Sequence, residues 1–266
     1  MKKINSAAVL IVDDFQTNLD VAAGMLRKYE MRIDCVTSGQ AAVDLIKAGE
    51  PVYAAVFMDR MMPVMDGIEA AQLIRGLNTE YARTLPIILL TAKDIDENEQ
   101  VFLEKGFDAF LSKPIDILEL DSIVNKWIFK KSPLAAGDLK SGNQAVPVNP
   151  AIEIPGVNME IGLDLLSGDM ELYVFALGSF VTYTPAAIDT LRNVTEENLP
   201  DYAVNVHSLK SGCATIGAAL VSERAQKLEA MSKAGDLSGV LDQNEEFIRD
   251  AETLVSDIKN WLKSRG

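Results

Sequence analysis

The chain has 266 residues, of which 48% are hydrophobic and 24% charged, and it carries a formal net charge of −14 at pH 7. That length suits two modest domains, and the composition is that of a soluble globular protein without collagen-like or disordered bias. The acid excess excludes a broad electrostatic grip on nucleic acid or on an anionic membrane surface, which Lys and Arg would have to supply.

The start, MKKINSAAVLIVDD, briefly imitates a signal peptide, because Lys2 and Lys3 precede an apolar run. That run, Ala7 to Val12, is too short and ends in two aspartates. No later segment approaches the roughly 18 uninterrupted apolar residues of a membrane span, so a cytoplasmic location without membrane insertion is expected. The two cysteines, Cys35 and Cys213, have apolar neighbours and are expected as buried core residues in a reducing compartment.

From Ala8 onward, short β-branched runs alternate with stretches of helical period. Strands are expected at Ala8–Val12, Arg32–Val36, Ala54–Met58, Ile87–Leu90 and Ala109–Leu111, with helices such as Thr17–Lys28, Ile68–Leu77 and the closing Ile115–Phe129. Runs that are apolar at nearly every position suit parallel strands covered on both faces. Residues 1–130 are therefore expected to form an α/β doubly wound five-stranded parallel sheet, flavodoxin-like with order 2-1-3-4-5. Its ligand crevice would open at the carboxyl ends of the neighbouring first and third strands.

Asp13 and Asp14 follow the first strand, Asp59 the third, Thr91 the fourth and Lys113 the fifth. Each alone reads as an ordinary strand end or helix cap. Gathered on one sheet edge, three carboxylates repel one another unless a cation neutralises them, and hard oxygen ligands suit Mg2+ or Mn2+. Lys113 adds positive charge, and the Thr91 hydroxyl adds a donor, where phosphoryl oxygens would lie. One carboxylate can then act as nucleophile and form an acyl phosphate. Asp59 is the best placed for this, with Asp13 and Asp14 holding the cation.

The segments VLIVDD, FMDRMMPVMDG, ILLTA and FLSKP, in this order and spacing, resemble the receiver domain of two-component response regulators over about residues 7–129. The resemblance implies a phosphoacceptor at Asp59, metal binding through Asp13, Asp14, Asp59 and the backbone of Met61, and phosphate contacts from Thr91 and Lys113. It also implies that Phe110 is a switch aromatic, although an aromatic on a strand reads by itself as core. Met61 and Lys93 occupy positions that vary in the family and tune how long the phosphoryl group lasts, with Met61 expected to limit the access of water. Pro63 and Gly67 are expected to shape the loop beyond Asp59, and Asp66 to cap the next helix.

Residues 131–155, rich in Pro, Gly, Ser and Ala without apolar period, read as a flexible linker. Residues 156–266 read as an all-α four-helix bundle with helices at Asp169–Val194, Pro200–Ile216, Ala218–Ala234 and Leu237–Lys263. Leu172, Phe175, Ala176 and Phe180 have the spacing of a buried stripe, as do Leu209, Cys213 and Ile216.

The chain has one histidine, His207. Ala203 and Ser211 lie one helical turn to either side, so the ring is expected to stand exposed on a flat surface. Lys210, three residues on, is placed to neutralise a phosphate held there. The segment HSLKSGCATIGA, with the upstream IPGVNMEIGLDLLSGDMELYVFALGSF, resembles the histidine phosphotransfer (HPt) domain over about residues 153–264. Gly217 supplies the family's downstream glycine, and Ser211 stands where the family usually has glycine. The resemblance implies a phosphoramidate on His207.

The two resemblances together imply a phosphorelay protein. Asp59 would accept a phosphoryl group from a phosphohistidine donor such as a sensor histidine kinase, and His207 would carry one to or from a downstream response regulator receiver. The alternative is a regulatory binding module in which phosphorylation of Asp59 alters a partner surface and His207 is no phosphoacceptor. These residues contain no glycine-rich nucleotide loop of the GxGxxG type. A phosphotransfer intermediate whose receiver catalyses its own phosphorylation and dephosphorylation is therefore expected, not an ATP-dependent kinase.

Overall fold

The computed structural model describes residues 7–92, 99–129 and 153–265. The chain divides into two compact units, one α/β and one helical. In chain order the first elements are β1 (Ala8–Val12), α1 (Gln16–Leu26), β2 (Arg32–Val36), α2 (Gly39–Ala48), β3 (Tyr53–Asp59) and α3 (Gly67–Gly76). They are followed by α4 (Glu80–Thr84), β4 (Ile87–Ala92), α5 (Glu99–Glu104), β5 (Ala109–Lys113) and α6 (Ile117–Ile123).

The strands form one five-stranded sheet of order β2-β1-β3-β4-β5, and every neighbouring pair is parallel. This is the order expected from the βα alternation. One face of the sheet packs Leu10, Val12, Val56, Met58 and Leu89 against Ala42, Ile46, Ala70, Ala71 and Ile74 of α2 and α3. Each large aliphatic side chain buried in this way contributes on the order of 2 kcal/mol.

Burial on both faces holds for β1, β3 and β4 but not for β2, whose side chains are exposed or half-buried. The reason is position: β2 is an edge strand, and a run that looks central in sequence need not be central in the sheet. Cys35 on β2 is accordingly exposed, contrary to expectation, whereas Cys213 is buried as expected. Asp66 caps α3 as anticipated, accepting a hydrogen bond from the Glu69 amide at 2.7 Å. The short helix α4, capped by Thr79, was not anticipated.

The helical unit comprises α7 (Met159–Leu165), α8 (Met170–Thr190), α9 (Leu199–Thr215), α10 (Ala219–Lys233) and α11 (Leu237–Lys263). The last four correspond to the expected helices, and α7, capped by Asn158, is an addition. The buried stripe of α8 is rotated from the one expected: Phe175 is exposed, and Tyr173, Ala176, Leu177 and Phe180 face inward. Tyr173 tolerates burial because its hydroxyl donates to the Ile216 carbonyl at 2.9 Å. Leu209, Cys213 and Ile216 are fully buried, as expected.

Gly217 ends α9 with φ +82, and a Cβ there would lie 2.1 Å from the Asn158 carbonyl oxygen. The Asn158 amide donates to the Gly217 carbonyl at 2.9 Å, so the start of α7 and the end of α9 meet backbone to backbone. Of the linker expected at 131–155, residues 131–152 lie outside the described residues.

Candidate functional site

A parallel sheet aligns the carboxyl ends of all its strands, and the order β2-β1-β3-β4-β5 sets the ends of β1 and β3 side by side. Met58 pairs with Val12, so Asp59 and Asp13 are the next residues on adjacent strands. Asp59 pairs with Leu90, one residue before Thr91, and Lys113 pairs with Ala92, one residue after it. Register alone therefore brings Asp13, Asp14, Asp59, Thr91 and Lys113 to one edge, as their positions in the sequence implied.

Carboxylate oxygens of Asp13, Asp14 and Asp59 lie within 4.8 Å of one another. The Lys113 ammonium is 2.6 Å from Asp13 Oδ2 and 2.7 Å from Asp59 Oδ1. No other donor reaches either Asp59 oxygen among the described residues, and the buried Thr91 hydroxyl likewise has no hydrogen-bond partner among them. Burial pushes the Asp59 carboxyl up to about 8; Lys113 opposes this, while Asp13 and Asp14 add to it by repulsion. For Lys113, burial disfavours the charged form, but the two aspartates outweigh it and the ammonium is held above its ordinary range.

An edge with three carboxylates, one ammonium and an unmatched hydroxyl suits a hard divalent cation together with an anion. A cation there would relieve the repulsion that raises the Asp59 carboxyl.

The loop that follows Asp59 is anchored at its base. The Gly67 amide donates to the Arg60 carbonyl at 2.9 Å, and a Cβ at Gly67 would lie 2.0 Å from the Asp59 carbonyl oxygen. Gly67, expected to shape this loop, is thus fixed by close approach to the Asp59 carbonyl. Met61 is half-buried in this loop, and Lys93 lies outside the described residues. Phe110 on β5 is 43% exposed, so the reading of it as a core aromatic is wrong. It occupies an exposed position on β5, the edge strand of the sheet.

The second candidate centre is His207 on α9. Its Nδ1 lies 2.8 Å from Glu229 Oε1 on α10. Lys210 Nζ lies 2.6 Å from Glu229 Oε2, and Lys233 Nζ lies 2.6 Å from Glu229 Oε1. Helical periodicity within α9 places the neighbours along that helix but not the carboxylate that α10 brings alongside.

Burial works against the charge on Glu229, but hydrogen bonds from His207, Lys210 and Lys233 overcome it and hold the carboxyl well below the usual range. An ionised carboxylate is an acceptor only, so His207 Nδ1 must donate. The neutral ring then carries its lone pair on Nε2.

Glu229 and Lys233 were not singled out from the sequence. Lys233 lies one turn after Glu229 on a helix rich in charge, which is the pattern of an ordinary solvated face. Only the pairing of α9 with α10 distinguishes them.

Comparison with known proteins gives two family matches, residues 9–125 to the response regulator receiver domain and residues 176–261 to the Hpt domain. Hybrid signal transduction histidine kinase M of Dictyostelium discoideum is 38% identical over 124 residues, 46% of this chain and 5% of that protein. Sensor protein GacS of Pseudomonas syringae is 28% identical over 228 residues, 85% of this chain and 24% of that protein. Aerobic respiration control sensor protein ArcB of Escherichia coli is 24% identical over 258 residues, 96% of this chain and 32% of that protein. The chain thus spans less than a third of the length of each of these relatives. Among solved structures, the receiver domain of a sensor histidine kinase from Pseudomonas aeruginosa, with a magnesium ion coordinated in its active-site cleft, is 35% identical. That match covers 47% of this chain and 98% of the other, with a TM-score of 0.41.

Proposed function

Because the chain carries a response regulator receiver domain followed by an Hpt domain, we propose that it relays phosphoryl groups through two acceptors of different chemistry. Asp59 takes one from a phosphohistidine donor, and His207 carries one to or from a receiver aspartate. The observation that carries the reading is the convergence of Asp13, Asp14, Asp59 and Lys113 on one buried sheet edge.

At that edge an Asp59 oxygen attacks phosphorus, the P–N bond of the donor breaks, and the imidazole nitrogen leaves with the electron pair. Lys113 stays charged and neutralises the phosphoryl oxygens, and the Thr91 hydroxyl donates to one of them. Asp13, Asp14, Asp59 and the backbone carbonyl of Met61 would hold Mg2+ or Mn2+, which supplies further positive charge to the same oxygens. Met61 limits the access of water to the acyl phosphate. Phe110, outward on β5, reports the phosphorylated state as a switch aromatic.

At the second centre Glu229 orients the ring so that Nε2 is the nucleophile, and Lys210 leaves Glu229 to meet the incoming phosphate. The partners are a sensor histidine kinase and a downstream response regulator receiver, in the cytoplasm. Within the described residues no helix is long and apolar enough to cross a membrane. The chain acts as a phosphotransfer intermediate and does not draw on ATP itself.

A second reading is that phosphorylation of Asp59 controls a binding surface and His207 accepts nothing; the ion pairing of its partner Glu229 with Lys210 and Lys233 suits a structural histidine as well. Radiolabelled transfer from purified sensor kinases to wild type, Asp59→Asn and His207→Gln separates them. The relay reading requires that Asp59→Asn take no label from a kinase phosphohistidine, and that His207→Gln hold label without passing it to a separate receiver. Undiminished onward transfer by His207→Gln would refute the role of His207.

A further inference from the structure

The loop leaving Asp59 holds a side chain in a costly position. Val64 has φ +69, a left-handed backbone that a β-branched residue rarely adopts. The Met65 amide donates to the Pro63 carbonyl at 2.7 Å, closing a three-residue turn of positive φ around Val64. Such turns are uncommon and strained. The valine gains nothing from the fold in return, since its relative exposure is 104% while Met62, two residues earlier, is buried.

The loop is also firmly held. Its base is tied by the Gly67 amide to the Arg60 carbonyl at 2.9 Å and by the Arg60 amide to the Leu90 carbonyl at 3.1 Å. Asp66 caps the helix that follows. An apolar side chain is thus presented rigidly to solvent five residues after Asp59. Strain held in place by its surroundings is typical of sites that serve a partner.

We infer that Val64 is a specificity-determining contact, seated on an apolar patch of the helical domain that brings phosphohistidine to Asp59. The inference rests on Asp59 being the phosphoacceptor. A histidine that delivers phosphorus to Asp59 must bring its helix over the carboxyl edge of the sheet, and this loop rises from that edge. Valine has no polar group, so its only gain on contact is removal from water, which requires an apolar counterpart. A small phosphodonor reaches Asp59 without covering the loop and does not meet Val64.

The test uses full-length chains. The acceptor carries His207→Gln, with or without Val64→Asn or Val64→Gly, both of which tolerate positive φ. The protein donor is the phosphorylated sensor histidine kinase that labels Asp59, and phosphoramidate with Mg2+ is the small donor. Either Val64 change should lower the second-order rate constant from the protein donor about tenfold. Labelling by phosphoramidate should not change, and the thermal midpoint should hold or rise as strain is released. Equal transfer from the protein donor, or an equal loss with both donors, overturns the contact. If phosphoramidate labels no acceptor at Asp59 even with Val64 in place, Asp59 is not the phosphoacceptor, and the inference falls with that reading.

Discussion

Glu229 Oε1 lies 2.8 Å from His207 Nδ1, so a buried carboxylate on α10 decides which nitrogen of a ring on α9 carries the proton. Removing the acceptor frees the ring to populate the other tautomer. Glu229→Ala should slow phosphorylation of His207 about tenfold, the equivalent of one charge-assisted hydrogen bond of about 1.5 kcal/mol. Nitrogen NMR of the ring should show a rise in the form with Nε2 protonated. An unchanged tautomer ratio would refute the assignment.

The same carboxyl sets a pH dependence of known sign. Its folded-state pKa is depressed below the ordinary 4.5, because His207, Lys210 and Lys233 outweigh the cost of burial. A depressed acid contributes stability that is fully present above its unfolded value and is lost as pH falls through its folded value. With His207→Gln in both chains, so that no imidazole titrates, the unfolding free energy of the Glu229 protein minus that of Glu229→Gln should therefore stay flat from about pH 8 to about pH 5. It should shrink only in more acidic solution. A difference that decays between neutral pH and pH 5 would contradict the direction.

Magnesium should stabilise the α/β unit through the cluster of Asp13, Asp14 and Asp59. At a hundredfold excess over the dissociation constant the gain is about 2.7 kcal/mol, read by denaturant unfolding with and without chelator. Asp13→Asn should abolish the magnesium response. A response of full size in that variant would remove Asp13 from the ligand set.

Within the helical core, Asn244 donates to the Leu191 carbonyl at 2.6 Å and accepts from the Tyr202 hydroxyl at 2.9 Å. Asn244→Ala leaves both partners buried without a match and should cost about 2–3 kcal/mol. Tyr202→Phe in the same background should add little, because its hydroxyl has already lost its acceptor. Additive losses in the double variant would show that the two side chains act independently.

The sheet and its acidic edge were legible because topology does most of the placing. Once five parallel strands are read in the order β2-β1-β3-β4-β5, residues at their carboxyl ends must converge whatever their side chains do. Rotation about a helix axis is less constrained, and the buried face of α8 includes Tyr173 instead of Phe175 because a hydroxyl that reaches Ile216 can be buried. Cys35 was misread for a related reason, since an edge strand and a central strand share one composition. Glu229 was illegible because it lies 22 residues from its histidine, on another helix. The strain at Val64 is a backbone property that MPVMDG does not reveal.

The central claim is that one chain holds phosphoryl groups in two kinds of bond. Phosphorus NMR of the full-length protein, incubated with a phosphorylated sensor kinase and Mg2+ and then separated from the kinase, tests it most directly. An acyl-phosphate resonance that vanishes in Asp59→Asn and a phosphoramidate resonance that vanishes in His207→Gln are the predicted result. A single resonance, unaffected by one of the two substitutions, would contradict it.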